Sequence, residues 1–215
     1  MSKIVVFGAG GRAGRRIADE ARRRGHQTTA VVRDPAAHPE AGAPVRGDVT
    51  DAADIARLAA DHDVVVSTVA DLSVAARDFY TRASTALVEG LARAGVDRLI
   101  VVGIATTLET SPGVRVMDAP DFPPQYLDFC DGHAAGLAIL RASGSELDWL
   151  VTNPAGDFDH EAGRVGGYRV DGDPVLAGTP EAGLISYPDF AVSVVDEVET
   201  PKHHRTQIGI IAEPA

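Results

Sequence analysis

Apolar residues in the first half of the chain form short, nearly continuous runs that alternate with longer, periodic segments. The runs are rich in valine and isoleucine, which is typical of parallel strands covered by helices on both faces. They occupy residues 3–7, 28–32, 44–46, 64–68 and 98–102. The periodic segments between them are predicted helices at residues 12–24, 50–60 and 73–94. This alternation predicts an α/β fold, a doubly wound Rossmann parallel sheet in a three-layer α/β/α arrangement.

The second half of the chain follows the same scheme less regularly. Its predicted elements are a proline-rich loop at 106–124, a helix at 125–142, a strand at 149–152, a glycine- and aspartate-rich segment at 157–183 with a hairpin around 168–170, a helix opening at Tyr187 or Pro188, and a strand at 207–211. We expect a single domain over residues 1–215 with a small irregular C-terminal lobe. Long loops in compact domains are often functional, so 106–124 and 157–183 are expected to shape a substrate site.

Charge and composition narrow the classes of partner. The 215-residue chain carries a formal net charge of −11, whereas nucleic acids and anionic membranes attract basic surfaces. No apolar stretch approaches the roughly 20 residues that span a bilayer, and the first apolar run is too short for a signal peptide. We therefore expect a cytoplasmic protein with a small-molecule partner, no nucleic acid and no membrane, as a monomer or homodimer. The single cysteine, Cys130, cannot form an internal disulfide and is either a reactive thiol or a packed side chain.

The segment Gly8-Ala9-Gly10-Gly11-Arg12-Ala13-Gly14 lies directly between a predicted strand and a predicted helix. Gly8 permits a tight turn, while Gly10 and Gly11 let the backbone approach a pyrophosphate closely. The helix N-terminus at Arg12 and Ala13 offers free N–H groups and a favourable dipole to phosphates. A purely structural turn is the alternative, but the position between strand and helix favours a dinucleotide site.

Residues after the second strand indicate which dinucleotide is bound. NAD sites usually place an acid here for the ribose 2′-hydroxyl, whereas this chain has Arg33, whose guanidinium can fork onto a 2′-phosphate with help from Arg12. Asp34 leaves an NAD site possible, and the segment could also simply start a turn. We expect NADP(H) as the cofactor.

Two further segments follow predicted strands on the edge where Rossmann ligands lie. Asp48 could bind the adenine amino group with Val49 against the ring, although Asp48 could instead cap a helix. The backbone of Val69 and Ala70 could border the ribose.

Taken together, the motifs resemble the atypical short-chain dehydrogenase/reductase family, in its NAD(P)H-binding branch with flavin reductases and biliverdin-IXβ reductase. The matching runs are VFGAGGR at 6–12, AVVRDP at 30–35, GDVTD at 47–51, LIVVG at 99–103, LRAS at 140–143, LDW at 147–149, NPA at 153–155 and ISY at 185–187. The resemblance covers nearly the whole chain and implies hydride transfer with NADP(H). It also implies that Asn153 and Pro154 lie beside the nicotinamide and that Gly103 belongs to the cofactor site.

The chain departs from the family where proton transfer is concerned. Standard members use a tyrosine and a lysine four residues later, and these positions fall on Phe129 and His133. His133 could donate a proton, could bind the nicotinamide ribose, or could be an ordinary polar residue on a half-exposed helix. Thr107 is at the position of the family's serine, and Tyr126 is the nearest tyrosine. We therefore take His133, Thr107 and Tyr126 as catalytic candidates, and we predict no metal site.

These features favour an NADP(H)-dependent oxidoreductase that transfers hydride to a flavin, quinone or conjugated carbonyl compound. The missing tyrosine–lysine pair leaves two alternatives: an NADP-sensing regulator without turnover, and a specialised biosynthetic ketone reductase or epimerase.

Overall fold

The computed structural model describes residues 1–144, 146–172 and 176–214. The strands are β1 Lys3–Phe7, β2 Gln27–Val32, β3 Val45–Arg46, β4 Val64–Ser67, β5 Arg98–Val102, β6 Glu109–Ser111, β7 Val114–Arg115, β8 Asp148–Pro154, β9 Asp157–Asp159, β10 Gly166–Val170, β11 Leu184–Ser186 and β12 Thr206–Pro214. The α-helices are α1 Arg12–Arg23, α2 Ala52–Ala59, α3 Ala76–Ala94, α4 Leu127–Ala142 and α5 Tyr187–Glu199.

The central sheet has the strand order β3-β2-β1-β4-β5-β8-β12-β10. Neighbouring strands are parallel except β10 and β12, which pair antiparallel at one edge. The order of the strands reverses at β1: the chain continues from β1 to β2 and β3 on one side, and then from β4 onward on the other side. Ligands of doubly wound sheets bind at such a switch point, beyond the carboxyl ends of the strands. The predicted Rossmann fold is confirmed.

Helices cover both faces of the sheet because alternate strand residues point to opposite sides. Val5 and Val65 pack with α2, α3 and α4 on one face. Ile4 and Val66 pack with α1 and α5 on the other. The strands therefore carry apolar residues on both faces, which explains their nearly continuous apolar runs.

Two glycines on α4 bring this helix unusually close to α3. A Cβ at Gly132 would lie 2.7 Å from the backbone carbon of Ala76, and one at Gly136 would lie 2.8 Å from Ser84 Oγ. Neither position has room for a side chain, because Gly132 faces the backbone of α3 and Gly136 faces the Ser84 side chain. This close packing sets the spacing of the cleft residues that α3 and α4 carry.

Several predicted elements differ in detail from the structure. The hairpin predicted around 168–170 is wrong, because β10 pairs with the distant β12 and not with a strand next to it in sequence. The predicted loop at 106–124 contains the small antiparallel pair β6 and β7. Helix α3 begins at Ala76 and not at Ser73, because Asp71 accepts the backbone N–H of Ser73 at 2.9 Å and holds the segment in a turn.

Within the described residues, no helix is long and apolar enough to cross a membrane.

Candidate functional site

The glycine-rich turn after β1 is held tightly by its neighbours. Gly8 adopts a positive φ of 84°, and its backbone N–H donates to the Val31 carbonyl at 3.0 Å. Thr68 Oγ1 donates to the carbonyls of Phe7 and Gly8, at 3.1 Å each. A Cβ at Gly14 would lie only 2.3 Å from the Gly8 carbonyl oxygen, so glycine is required there for the helix to approach the turn.

Helix α1 begins at this turn with an open N-terminus. Its N-cap is Gly11, no side chain caps the end, and its first turn contains no acidic residue. Arg12 and Ala13 in that first turn line a cleft. The uncapped N–H groups and the helix dipole make this end of the cleft suitable for a phosphate.

The cleft has a volume of about 890 Å³ and runs along the carboxyl ends of β1, β2, β4 and β5. The residues predicted from sequence that it brings together are Gly8, Gly10, Gly11, Arg12, Ala13, Arg33, Asp48, Val49, Val69, Ala70 and His133. A single continuous cavity therefore joins the glycine turn to the α4 residue His133.

Arg33 and Asp71 form an ion pair at one end of the cleft. They belong to the loops after β2 and β4, the strands on either side of β1. Ser73 donates to Asp71 from its backbone N–H and its hydroxyl, and these bonds, with Arg33, lower the pKa of Asp71 to about 2. Asp71 is therefore anionic at neutral pH, and a ligand phosphate at Arg33 would compete with it.

Asp48 has a local role that differs from helix capping. Its carboxylate accepts the backbone N–H and the hydroxyl of Thr50, at 2.8 and 2.7 Å. The N-cap of α2 is Asp51, which accepts the backbone N–H of Ala53 at 2.8 Å. The alternative interpretation of Asp48 as a helix cap is wrong, and the residue lies in the cleft wall.

Thr107 and Tyr126 do not line the cleft. Thr107 is 3% exposed, and its hydroxyl donates back to the Ile104 carbonyl at 3.1 Å within a 3₁₀ turn. Tyr126 lies in a 3₁₀ turn before α4 and is 57% exposed. Their positions in the sequence place both residues near the cleft. Sequence position does not show how short 3₁₀ turns orient side chains.

Gly103, Asn153 and Pro154 also lie outside the cleft lining. Asn153 is fully buried and donates from Nδ2 to the Ile208 carbonyl at 3.0 Å. A Cβ at Gly103 would meet Asn153 Oδ1 at 2.3 Å, so Gly103 makes room for the asparagine. Pro154 ends β8 beside Ile210 of β12. These residues pack together at the carboxyl ends of β5 and β8, inside the sheet.

His133 belongs to a cluster of rings. Its centroid is 3.9 Å from that of Tyr80 on α3 and 4.8 Å from that of Phe129, one turn earlier on α4. Burial lowers the pKa of His133 to about 3 and raises that of Tyr80 well above its usual range. Both side chains are neutral at neutral pH, so His133 does not reproduce the positive charge of the lysine found in standard family members.

A second group of cleft residues, missed in the sequence, comes from the C-terminal half. Phe158 and Tyr187 stack with centroids 4.2 Å apart and planes 11° apart. His160 Nδ1 lies 2.6 Å from Arg12 Nη1 and 3.3 Å from Tyr187 Oη. Because a guanidinium can only donate, His160 accepts this bond and ties the segment after β9 to the first turn of α1. The aromatic residues were visible in the sequence, but their partners are distant along it.

Cys130 is a packed residue in this structure. It is 2% exposed, it accepts a hydrogen bond from Thr106 Oγ1 at 3.2 Å, and burial raises the pKa of its thiol. These features favour the packed interpretation over the reactive thiol, since reactivity requires an accessible thiolate.

The chain resembles known proteins over nearly its whole length. The model of a family described as NAD(P)H-binding matches residues 8–201. The Bacillus subtilis (strain 168) protein YwnB, itself uncharacterized, is 32% identical over 216 residues, covering 98% of this chain and 99% of YwnB. A provisionally described exported protein of Burkholderia pseudomallei has a crystal structure with a TM-score of 0.83 and 34% identity, covering 99% of this chain and 100% of that one. A Streptococcus pneumoniae TIGR4 protein, named provisionally as an NADH-flavin reductase, has a TM-score of 0.80 and 27% identity, with 99% and 100% covered.

Proposed function

The chain belongs to this NAD(P)H-binding family, and we propose that it is an NADP(H)-dependent reductase of a flavin, quinone or conjugated carbonyl compound. The observation that carries the proposal is the continuous cleft of about 890 Å³. The open N-terminus of α1 lies at the glycine turn after β1, and aromatic residues of α3 and α4 line the same cleft. Such a cleft can hold a dinucleotide and a second planar molecule side by side.

The residues of the turn suit a dinucleotide. A Cβ at Gly10 would meet the His38 ring at 2.5 Å, so glycine keeps the backbone accessible between this ring and the phosphate site. The N–H groups at Arg12 and Ala13 would bind the pyrophosphate, and Asp48 and Val49 would border the adenine. When bound, the dinucleotide supplies a hydride, which together with one proton from water adds two electrons and two hydrogens to the acceptor.

Preference for NADP(H) over NAD(H) rests on Arg33. Its side chain is 67% exposed, it lines the cleft, and it follows β2, where the ribose 2′-substituent lies in dinucleotide folds. A 2′-phosphate can take the place of the Asp71 carboxylate on the guanidinium and bind it in bidentate fashion. Arg12 begins α1 on the neighbouring wall of the cleft and adds positive charge there.

The tyrosine and lysine of standard short-chain dehydrogenases are absent at positions 129 and 133. This absence suits an acceptor that needs no proton donor from the protein. Phe129 cannot donate a proton, and neutral His133 lacks the charge that would lower the pKa of a neighbouring hydroxyl. Reduced flavins and quinones take their proton from water, so these side chains need only bind and orient the acceptor and exclude water.

Steady-state kinetics test this proposal. The protein should oxidise NADPH in the presence of riboflavin or 2-methyl-1,4-naphthoquinone, and NADH less efficiently. Arg33→Ala should weaken NADPH binding by about tenfold to a hundredfold, the cost of a charge-assisted bond, and leave NADH binding unchanged. Arg93→Ala, at an exposed position in the last turn of α3, is the matched control. Tight NADPH binding without oxidation by any acceptor would instead support the sensing regulator.

A further inference from the structure

Most charged residues of the cleft wall lie around the glycine turn and in the loops after β2, β3 and β4. Among the described lining residues, the charged ones are Arg12, Arg33, Asp34, Asp48, Asp71 and Arg82. These residues lie around the glycine turn, in the loops after β2, β3 and β4, and on α3 where Arg82 Nη2 donates to Thr50 Oγ1 at 3.1 Å. This part of the cleft is the proposed adenosine and phosphate end.

The other half of the lining carries no charged side chain among the described residues. Its members are Leu72, Val74, Phe79, Tyr80, Val102, Ile104, Phe129, His133, Phe158 and Tyr187. His133 counts as neutral because its ring is buried against Tyr80 and Phe129. Leu72 and Val74 at its rim are 83% and 50% exposed and add apolar surface to the cleft wall.

Two polar atoms in this half lack partners. Tyr80 Oη and His133 Nε2 are both buried and have no hydrogen bond among the described residues. Tyr80 as a whole is 8% exposed. Buried polar groups in folded proteins are nearly always paired, so an unpaired hydroxyl and an unpaired ring nitrogen on adjacent rings indicate a site completed by a ligand. The Tyr80 hydroxyl can donate to a ring carbonyl of a ligand, and His133 Nε2 can pair with a carbonyl or a ring N–H, depending on its tautomer.

We propose that the acceptor is an uncharged, planar, carbonyl-bearing ring that binds against Tyr80, Phe129 and His133, and that this end of the cleft discriminates against anionic acceptors. This inference rests on the proposed reductase function and narrows its substrate class. A sulfonate or phosphate on a ring bound against Tyr80, Phe129 and His133 would be desolvated beside three side chains that carry no positive charge. The net charge of −11 opposes anions further.

Matched acceptors test the inference. The intact protein should reduce 2-methyl-1,4-naphthoquinone with a kcat/KM at least about tenfold above that of its 3-sulfonate, since burying an unpaired charge is costly. Riboflavin should likewise have a higher kcat/KM than flavin mononucleotide, which carries a phosphate. Calorimetric titration of both quinones into the NADP⁺-saturated protein measures the same preference without turnover. Equal kcat/KM or equal affinity for the two quinones would overturn the inference.

The two failures are distinguishable. If NADPH is oxidised with anionic and neutral acceptors alike, only the substrate class is wrong. If no acceptor is reduced, the proposed function fails, and the calorimetric comparison still decides whether the aromatic wall selects neutral rings.

A charge placed in the wall should alter the selectivity. Phe129 is partly exposed, so Phe129→Arg is expected to fold and to shift the ratio of kcat/KM values toward the sulfonated quinone by about tenfold or more, the effect of supplying a paired cation. Phe129→Leu keeps the wall neutral and should keep the preference. An unchanged ratio in Phe129→Arg would contradict binding against this wall.

Tyr80→Phe separates ligand binding from a structural role. Removing the unpaired hydroxyl should raise the KM for the neutral quinone by about threefold to tenfold and leave the Tm unchanged or higher. Tyr168→Phe is the control, because its hydroxyl donates to Asp196 at 2.7 Å away from the cleft, so its loss should lower the Tm and leave KM unchanged. A Tyr80→Phe protein with a lower Tm and an unaltered KM would show that the hydroxyl is structural.

Discussion

Arg33 and Asp71 face each other from the two loops that flank the glycine turn. The carboxylate lowers the positive potential at Arg33 and would repel a 2′-phosphate, so the pair weakens NADPH binding relative to a free arginine. Nothing in the sequence joins these two residues, which are separated by β3, α2 and β4. Their pairing follows only from the strand order of the sheet.

Asp71→Asn should therefore tighten NADPH binding. The substitution keeps an acceptor for Ser73 but removes the charge, and we expect a threefold to tenfold lower Kd for NADPH, about the effect of one exposed charge, with little change for NADH. Fluorescence titration of both dinucleotides checks this, with the exposed Asp78→Asn on α3 as control. Weaker NADPH binding would mean that Asp71 orients Arg33 for the phosphate.

His133 should make stability depend on pH. Its pKa is about 3 in the folded state against about 6.5 when unfolded, so between these values the unfolded chain binds a proton that the folded protein does not. The contribution of His133 to stability is intact above pH 6.5 and is lost as the pH falls, by at most about 1.4 kcal/mol per pH unit.

Urea unfolding at pH 7 and pH 5 measures this effect. The wild-type protein should lose more free energy of unfolding between these values than His133→Gln, because glutamine does not titrate. An identical loss in both proteins would mean that the His133 ring is accessible to protons in the folded state.

At the scale of elements, the glycine turn and the start of α1 form one unit. Gly14→Ala would place a Cβ 2.3 Å from the Gly8 carbonyl and so push the helix away from the turn. We expect a loss of about 1–3 kcal/mol in the free energy of unfolding, typical of overpacking, together with weaker dinucleotide binding. Gly167→Ala on β10 is the control, because nothing lies within 4 Å of its Cβ position. Equal dinucleotide affinity in Gly14→Ala would contradict a phosphate site at this turn.

Some elements could be predicted from the sequence and others could not. The buried strands and the glycine turn were predictable because continuous apolar runs and turn chemistry are local features of the sequence. The partner of β10 and the positions of Thr107 and Tyr126 were not, because they depend on long-range pairing and on short 3₁₀ turns. The contact between Tyr80 and His133 was not predictable either. It depends on how closely Gly132 and Gly136 let α4 pack against α3.

At the scale of the whole molecule, the sheet order positions every part of the cleft. The predicted NAD(P)H-binding branch is confirmed by the family match over residues 8–201. The interpretation of residues 1–215 as a single domain stays a prediction, as does the choice between monomer and homodimer. The sequence could indicate the phosphate end because its motif is contiguous, whereas the aromatic end is assembled from α3, α4, β5 and the segment after β8.

We propose that one cleft joins an NADPH site to an acceptor site. Mixing the NADPH-loaded protein anaerobically with 2-methyl-1,4-naphthoquinone in a single turnover tests it most directly, by following nicotinamide absorbance. We expect one NADPH to be oxidised for each quinone reduced. The oxidation should be faster than in protein-free solution and slower with the sulfonated quinone. If bound NADPH is oxidised no faster than in protein-free solution with every acceptor, the proposal of a joint cleft is contradicted.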